Sequence, residues 1–189
     1  RRNVPIFLLE EAVVAPEQHV SNSIGAQFEE ILRAGKEFVL NLGAGATSTR
    51  YPNCVELEHK VFRHTDVVGD AHRLPFRDNT FDRVFAFNLF EHLSAPKAAA
   101  AEILRVLKPG GTASIHTPFL QALHDAPAPY YHATELGVRA CFAPFEFEPC
   151  SVSCHSWPGV TAGLLMQSPL APEPPACTSS QRPPPLSPR

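Results

Sequence analysis

The stretch Val84-Phe85-Ala86-Phe87, inside the segment Asp82 to Asn88, leaves no polar face for a strand to turn toward water. A strand that is apolar at successive positions must be covered on both sides, as in a parallel sheet flanked by helices. Other segments share this character. Glu37 to Leu42 reads as a buried strand running into glycines, Cys54 to Leu57 as a second, Thr65 to Val68 as a third, and Thr112 to Thr117 as a fifth after Asp82 to Asn88. Helical patterns lie among them. Ile24, Phe28, Ile31 and Leu32 recur at helical spacing, with Ser23 expected as N-cap and Gly35 as terminator. Ser94 is expected to cap a helix through Leu107 with Pro96 in its first turn, where a missing N–H costs nothing. Ala100, Ile103, Leu104 and Leu107 form its buried stripe, and Glu102 and Arg105 are expected to face water. Lys108 then complements the helix C-terminus, and Pro109-Gly110-Gly111 ends it. Strands separated by helices or short crossovers imply an α/β fold, doubly wound, with a mostly parallel sheet and right-handed connections.

A chain of 189 residues with 44% apolar and 19% charged residues suits one globular domain with an appendage. The net charge of -3 gives no general attraction to a phosphate backbone, so the composition carries no nucleic-acid signal. No apolar run is long enough to span a bilayer, and Ile6 to Leu9 is too short and too closely followed by Glu10 and Glu11 for a signal-peptide core. A cytoplasmic protein is expected. The odd set Cys54, Cys141, Cys150, Cys154 and Cys177 lacks a disulfide-scaffold spacing and reads as reduced thiols. Cys150, Cys154 and His155 have no second ligand pair, so no metal is expected. The chain begins Arg1-Arg2 and holds a single methionine, Met166, which predicts that its first residue is not a natural start. Residues 1–36 form an N-terminal segment and helix, with Val4 to Leu9 a candidate strand, and residues 37–150 form the α/β domain. Residues 151–189 are poorly patterned, and the Pro/Ser-rich part from about Pro169 is expected to be a disordered tail.

Two constellations point to a ligand. In Val39-Leu40-Asn41-Leu42-Gly43-Ala44-Gly45-Ala46 a strand runs into Gly-x-Gly, which lets the backbone turn tightly and approach a ligand without a Cβ in the way. The third glycine of a dinucleotide fingerprint would fall at Ser48, which argues against a pyrophosphate cradle. In Val68-Gly69-Asp70-Ala71-His72-Arg73-Leu74-Pro75-Phe76 an acidic residue sits just past the third strand, at the sheet edge where open α/β folds bind ligands. Its carboxylate can accept a hydrogen bond from an exocyclic amine, or can serve a turn through local hydrogen bonds.

The order of motifs says more than any one of them. Asp70-Ala71-x-x-Leu74-Pro75-Phe76, Phe81-Asp82, Glu91-His92-Leu93 and Arg105-Val106-Leu107-Lys108-Pro109-Gly110-Gly111 together make the run from Val39 to Phe119 resemble the class I S-adenosylmethionine-dependent methyltransferases, in particular those with a type 11 methyltransferase domain. That resemblance implies a Rossmann-like sheet, in compact or truncated form, and S-adenosylmethionine as cofactor. By position it implies that Gly43, Ala44 and Gly45 pass beneath the methionine and ribose, and that Glu58 grips the ribose hydroxyls. Asp70 and Ala71 would hold the adenine, and Asn88 and Leu89 would border the methionine end. Asn41 stands where such proteins often carry an acid, and an amide cannot supply a charged partner for the cofactor's amino group. His92 reads equally as a structural residue or as one at the substrate's edge. Only eight residues separate Gly45 from Cys54, too few for the helix that normally follows the glycine loop. Beyond the fifth strand, Pro129 and His132 occupy positions where a related subgroup is expected to carry Asp and Arg.

Methyl transfer needs placement of acceptor and methyl group, and a general base only where the acceptor must lose a proton. His116, His124 and His132 gather after the fifth strand, and His124 ranks first as a base. The leading expectation is a methyltransferase acting on a small molecule. The alternative is a cofactor-binding but inactive or truncated relative with an interaction role. A nicotinamide-dependent oxidoreductase is disfavoured by Ser48 and by Leu74-Pro75-Phe76. No oligomeric state follows from the sequence.

Overall fold

The computed structural model describes residues 4–8, 24–120, 129–147, 151–153 and 160–169. At its centre β2 (Val39–Leu42) pairs in parallel with β3 (Cys54–Glu58) on one side and β5 (Phe81–Phe87) on the other. Beyond β3 lie β4 (Val67–Gly69) and then β1 (Ile6–Phe7), and beyond β5 lies β6 (Leu107–Leu120), all parallel. β9 (Val160–Gln167) adds to β6 in the antiparallel sense and carries β7 (Glu146–Phe147) and β8 (Ser151–Ser153). The order β1-β4-β3-β2-β5-β6-β9-β7 reverses at β2. This is the doubly wound, mostly parallel architecture that the apolar strands predict.

Alternating side chains serve two cores. On one face Leu40, Leu42, Val84, Ala86, Ala113 and Ile115 pack against α2 (Pro96–Val106) and α3 (Glu135–Cys141), whose Ala99, Ala100, Ile103, Val106 and Val138 are buried there. On the other, Val39, Cys54 and Phe85 receive Phe28 and Leu32 of α1 (Ala26–Ala34). The Phe28 and Phe85 rings meet edge-on at 5.2 Å, a geometry that suits their quadrupoles. Among the described residues no helix is long and apolar enough to cross a membrane.

Local structure departs from expectation in instructive places. Gly35 ends α1 in the left-handed conformation as its position predicts, but Gly25 is the N-cap residue, and Ser23 lies outside the described residues. Ala95, not Ser94, precedes α2, and Pro96 takes its first turn. Arg105 and Glu102 do not simply face water. Arg105 donates to the carbonyls of Leu74 and Phe76 and pairs with Glu102 and Asp78, while Glu102 also accepts the Leu74 N–H at 2.7 Å. Together they clamp the loop 74–78 onto α2. Lys108 reaches Asp82 rather than the helix end, at 2.7 Å, and Asp82 also receives the Phe38 N–H. The segment after α2 forms a bulge: Phe81 opposes Leu107 but Arg83 opposes Thr112. The sheet also continues past residue 150. β8 and β9 fall in the stretch expected to be poorly defined: β8 pairs with β9, and β9 with β6, which lies far upstream where local pattern cannot see it. The tail from residue 170 lies outside the described residues.

No helix forms between Gly45 and Cys54, as the short spacing requires. A polar network stands there instead. Buried Glu56 of β3 accepts the Thr47 hydroxyl at 2.6 Å, and Thr47 is also 3.1 Å from Nδ1 of His64. The Glu56 N–H donates to Asp66, which in turn pairs with Arg50. Oε2 of Glu56 is buried and has no hydrogen-bond partner. Burial pushes the Glu56 carboxyl up to about 7, against the pull of the Thr47 bond, with Asp66 adding to the rise.

Two outcomes are expected. An unfolded chain releases the Glu56 proton near the ordinary value of 4.5 while the fold retains it to about 7, so stability falls as pH rises through that window. Glu56→Gln should therefore resist urea better than wild type at pH 8, by on the order of 3 kcal/mol, with the gain vanishing toward pH 5. Identical urea curves at both pH values would show that the carboxylate ionises without penalty. At the bulge, a Cβ on Gly111 would lie 2.9 Å from the carbonyl oxygens of Asp82 and Lys108. Gly111→Ala should cost about 1–3 kcal/mol in the same assay.

Candidate functional site

Where strand order reverses, the connections leaving β2 and β5 diverge and open a crevice at the carboxyl ends of the strands. The glycine loop lies there. Gly43 and Gly45 both have positive φ, 71° and 63°, which a side chain would resist. Gly43 also approaches Leu89 so closely that a Cβ would meet its side chain at 3.0 to 3.3 Å. The loop is pinned to β3. The Gly43 N–H donates to the Leu57 carbonyl at 2.9 Å, and the Gly45 N–H to Oε1 of Glu58 at 2.8 Å. The second Glu58 oxygen accepts the His59 N–H at 2.8 Å. Burial raises the Glu58 carboxyl, while the N–H groups of Gly45, His59 and Lys60 pull it back.

Gly43, Ala44, Gly45, Glu58 and Leu89 thus form one contiguous corner. Asn88 adjoins it with φ 52° and donates its N–H to the His116 carbonyl, which fixes the turn that delivers Leu89. Asn41 is set back from this corner. It is a buried residue of β2, in register with Glu56 and Phe85, one turn of the pleat before the loop.

Asp70 and the buried Ala71 follow β4. Oδ1 of Asp70 accepts both the His72 N–H, at 2.9 Å, and Nδ1 of His72, at 2.6 Å. Partial burial opposes the charge, but these two bonds more than offset it and hold the carboxyl below its usual range. Among the described residues Oδ2 carries no hydrogen bond, so the carboxylate combines a local turn role with an oxygen left for a ligand. The sequence leaves those two readings of Asp70 open, and the geometry has room for both.

A cavity of about 490 Å³ opens beside this crevice, between the N-terminus of α2 and α3. Phe90, Ala95, Ile115, Val138 and Phe142 make it mostly apolar, with Thr117 and His132 among its polar points. Nε2 of His132 is buried and has no hydrogen-bond partner. Residues of the glycine loop do not line this cavity, so cofactor-type and cavity-type features are neighbours rather than one pocket. His116 points away from it, stacked on Phe87 at 4.2 Å and against Phe28, and burial lowers its pKa. Cys54 is a buried thiol pushed up to about 12, chiefly by burial. His124, Cys150, Cys154 and His155 lie outside the described residues, as does Cys177.

Two features escaped sequence reasoning. Thr134 is the N-cap of α3 and accepts the Gly137 N–H at 3.1 Å; Thr-x-x-Gly before Val138 was the available signal. The cavity had none, because its walls come from segments far apart in the chain.

Comparison with known proteins matches residues 42–115 to the family model described as a methyltransferase domain. A sterol 24-C-methyltransferase of Aspergillus fumigatus is 33% identical over 92 residues, 49% of this chain and 24% of that protein. A demethylmenaquinone methyltransferase of Renibacterium salmoninarum is 51% identical over 45 residues, 24% of this chain and 19% of that protein. The chain therefore spans about a quarter or less of the length of these curated relatives. A S-adenosylmethionine-dependent methyltransferase structure from Methanosarcina mazei superposes with TM-score 0.61 at 14% identity, covering 79% of this chain and all 100% of that one. The [4+2]-cyclase SpnF superposes with TM-score 0.59 at 16% identity, covering 77% and 81%. Structural likeness at these identities carries the fold, and the cyclase warns against reading chemistry from fold alone. Sequence match and fold agree: residues 42–115 match the methyltransferase-domain family model, and the chain carries the Rossmann-like fold seen in class I S-adenosylmethionine-dependent methyltransferases.

Proposed function

We propose that this chain binds S-adenosylmethionine across the carboxyl ends of β2, β3 and β4 and directs its methyl group to a small, largely apolar acceptor. The observation that carries this reading is the pinned corner of Gly43, Gly45, Glu58 and Leu89 at the switch point, with an unclaimed carboxylate oxygen on Asp70 at the next strand end. Gly43, Ala44 and Gly45 would run beneath the methionine and ribose. The Glu58 carboxylate, held by backbone N–H groups that include those of Gly45 and His59, would turn its remaining acceptor capacity to a ribose hydroxyl. Oδ2 of Asp70 would take the adenine's exocyclic amine and the Ala71 N–H a ring nitrogen, while Asn88 and Leu89 would border the methionine end. Asn41 would act from behind, through the strand rather than by charge.

The bound cofactor supplies an activated methyl group on a sulfonium. The protein's own work is positional: the glycine loop and Leu89 fix one reactant, and the cavity wall fixes the other. Apolar lining by Phe90, Ile115 and Phe142 excludes water from the acceptor side, and Thr117 and His132 are among the polar contacts there. The names of the matched relatives, which methylate sterols and demethylmenaquinone, are consistent with an apolar acceptor.

Isothermal titration should give saturable binding of S-adenosylmethionine and of S-adenosylhomocysteine, and none of a nicotinamide dinucleotide. Asp70→Ala should weaken S-adenosylmethionine about tenfold while moving Tm by no more than about 2 °C. A wild-type protein that binds neither sulfur ligand would refute the assignment.

A further inference from the structure

His72 lies between the crevice and the cavity and belongs to the wall of neither. Its N–H and Nδ1 both bond Oδ1 of Asp70, and its Nε2 faces the Ala95 N–H at 3.2 Å. Ala95 is the residue before α2, and Ser94, Ala95, Pro96 and Lys97 form one rim of the cavity. A backbone N–H can only donate, so Nε2 must be the acceptor and carry no proton. The ring proton therefore resides on Nδ1, where it meets the carboxylate. Both neighbours select the same tautomer. A ring protonated only on Nε2 would set N–H against N–H at Ala95 and a lone pair against the charge of Asp70.

The consequence for Asp70 is directional. Its side chain is 49% exposed, so packing alone does not hold the carboxylate. The two bonds from His72 converge on Oδ1, and that leaves Oδ2 without a hydrogen bond among the described residues. The same ring then carries the constraint across to the start of α2.

We infer that His72, as its Nδ1–H tautomer, is a positioning residue that aims Asp70 at the cofactor's exocyclic amine and ties that carboxylate to the cavity rim at Ala95. The inference rests on the cofactor site proposed above. Coupling through such a link is reciprocal, so occupation of the crevice orders the rim, and an ordered rim favours the cofactor.

Long-range proton–nitrogen spectra of the full chain with labelled histidine should show the Nδ1–H tautomer at His72. In titrations with S-adenosylmethionine, His72→Ala should bind about tenfold more weakly. His72→Asn, whose amide N–H replaces the Nδ1–H donor, should recover most of that loss, whereas His72→Gln should not. S-adenosylmethionine should slow exchange of the Ala95 amide in wild type but not in His72→Asn, which lacks the Nε2 acceptor. Thermal melts establish that each variant is folded. An Nε2–H tautomer, undiminished binding by His72→Ala, or no rescue by Asn overturns the inference while leaving the cofactor site intact. Failure of wild type to bind S-adenosylmethionine removes the cofactor site itself, and the inference with it.

Discussion

Everything at the site depends on β2 being paired in parallel on both sides. A strand so placed has no edge, so its chain can leave only from its carboxyl end, and the neighbours on its two sides must send their connections over opposite faces. The crevice is the geometric remainder of that divergence. Once it exists, the first residues past β2 must turn without a Cβ, and those past β3 and β5 must close the opening. Gly43 and Gly45 do the first; Glu58 and Leu89 do the second, one by hydrogen bonds to the loop and one by contact.

The shortened link from β2 to β3 imposes a second constraint. With eight residues there is no helix to cover that part of the sheet, so Asn41 and Glu56 occupy positions where a helix-covered sheet would carry apolar side chains. Thr47 and His64 meet Glu56, and Arg50 meets Asp66. The substitute is costly, since it buries a carboxyl, but it ties the glycine loop to β3 a third time, after the bonds to Leu57 and Glu58. Loop rigidity is thereby drawn from polar contacts that respond to pH rather than from packing, which does not.

These constraints also explain what the sequence could reveal. Parallel strands with both faces buried write themselves as apolar runs, so Val39–Leu42 and Phe81–Phe87 were legible, and so was the glycine turn that ends the first. The Arg105-to-Gly111 motif was recognisable only by resemblance, because its purposes are tertiary. Arg105 holds a loop that lies some 30 residues upstream, and Gly111 makes room for the carbonyl of Asp82. β9 was hidden for the same reason: an edge strand is defined by the partner it finds, and Thr112 to Leu120 had to be in place first. The pairs Glu58–Gly45 and Asp70–His72 show the two extremes at the site. The second is local and within reach of turn chemistry; the first needs the register of β2 against β3 before it can be drawn.

The two halves of the site therefore differ in how they can change. The crevice is built almost wholly from one continuous stretch, Asn41 to His72, completed by Asn88 and Leu89, and its parts are fixed by hydrogen bonds made largely within that stretch. The cavity is assembled from Phe90 to Lys97, from Ile115 and Thr117, and from Tyr131 to Phe142, through side chains that can be exchanged one at a time. A cofactor common to many reactions belongs on the first kind of surface, and an acceptor that varies from protein to protein belongs on the second. Among the described residues the two are joined by Leu89 running into Phe90, by the Asn88 N–H on the His116 carbonyl between Ile115 and Thr117, and by the Asp70–His72–Ala95 bridge.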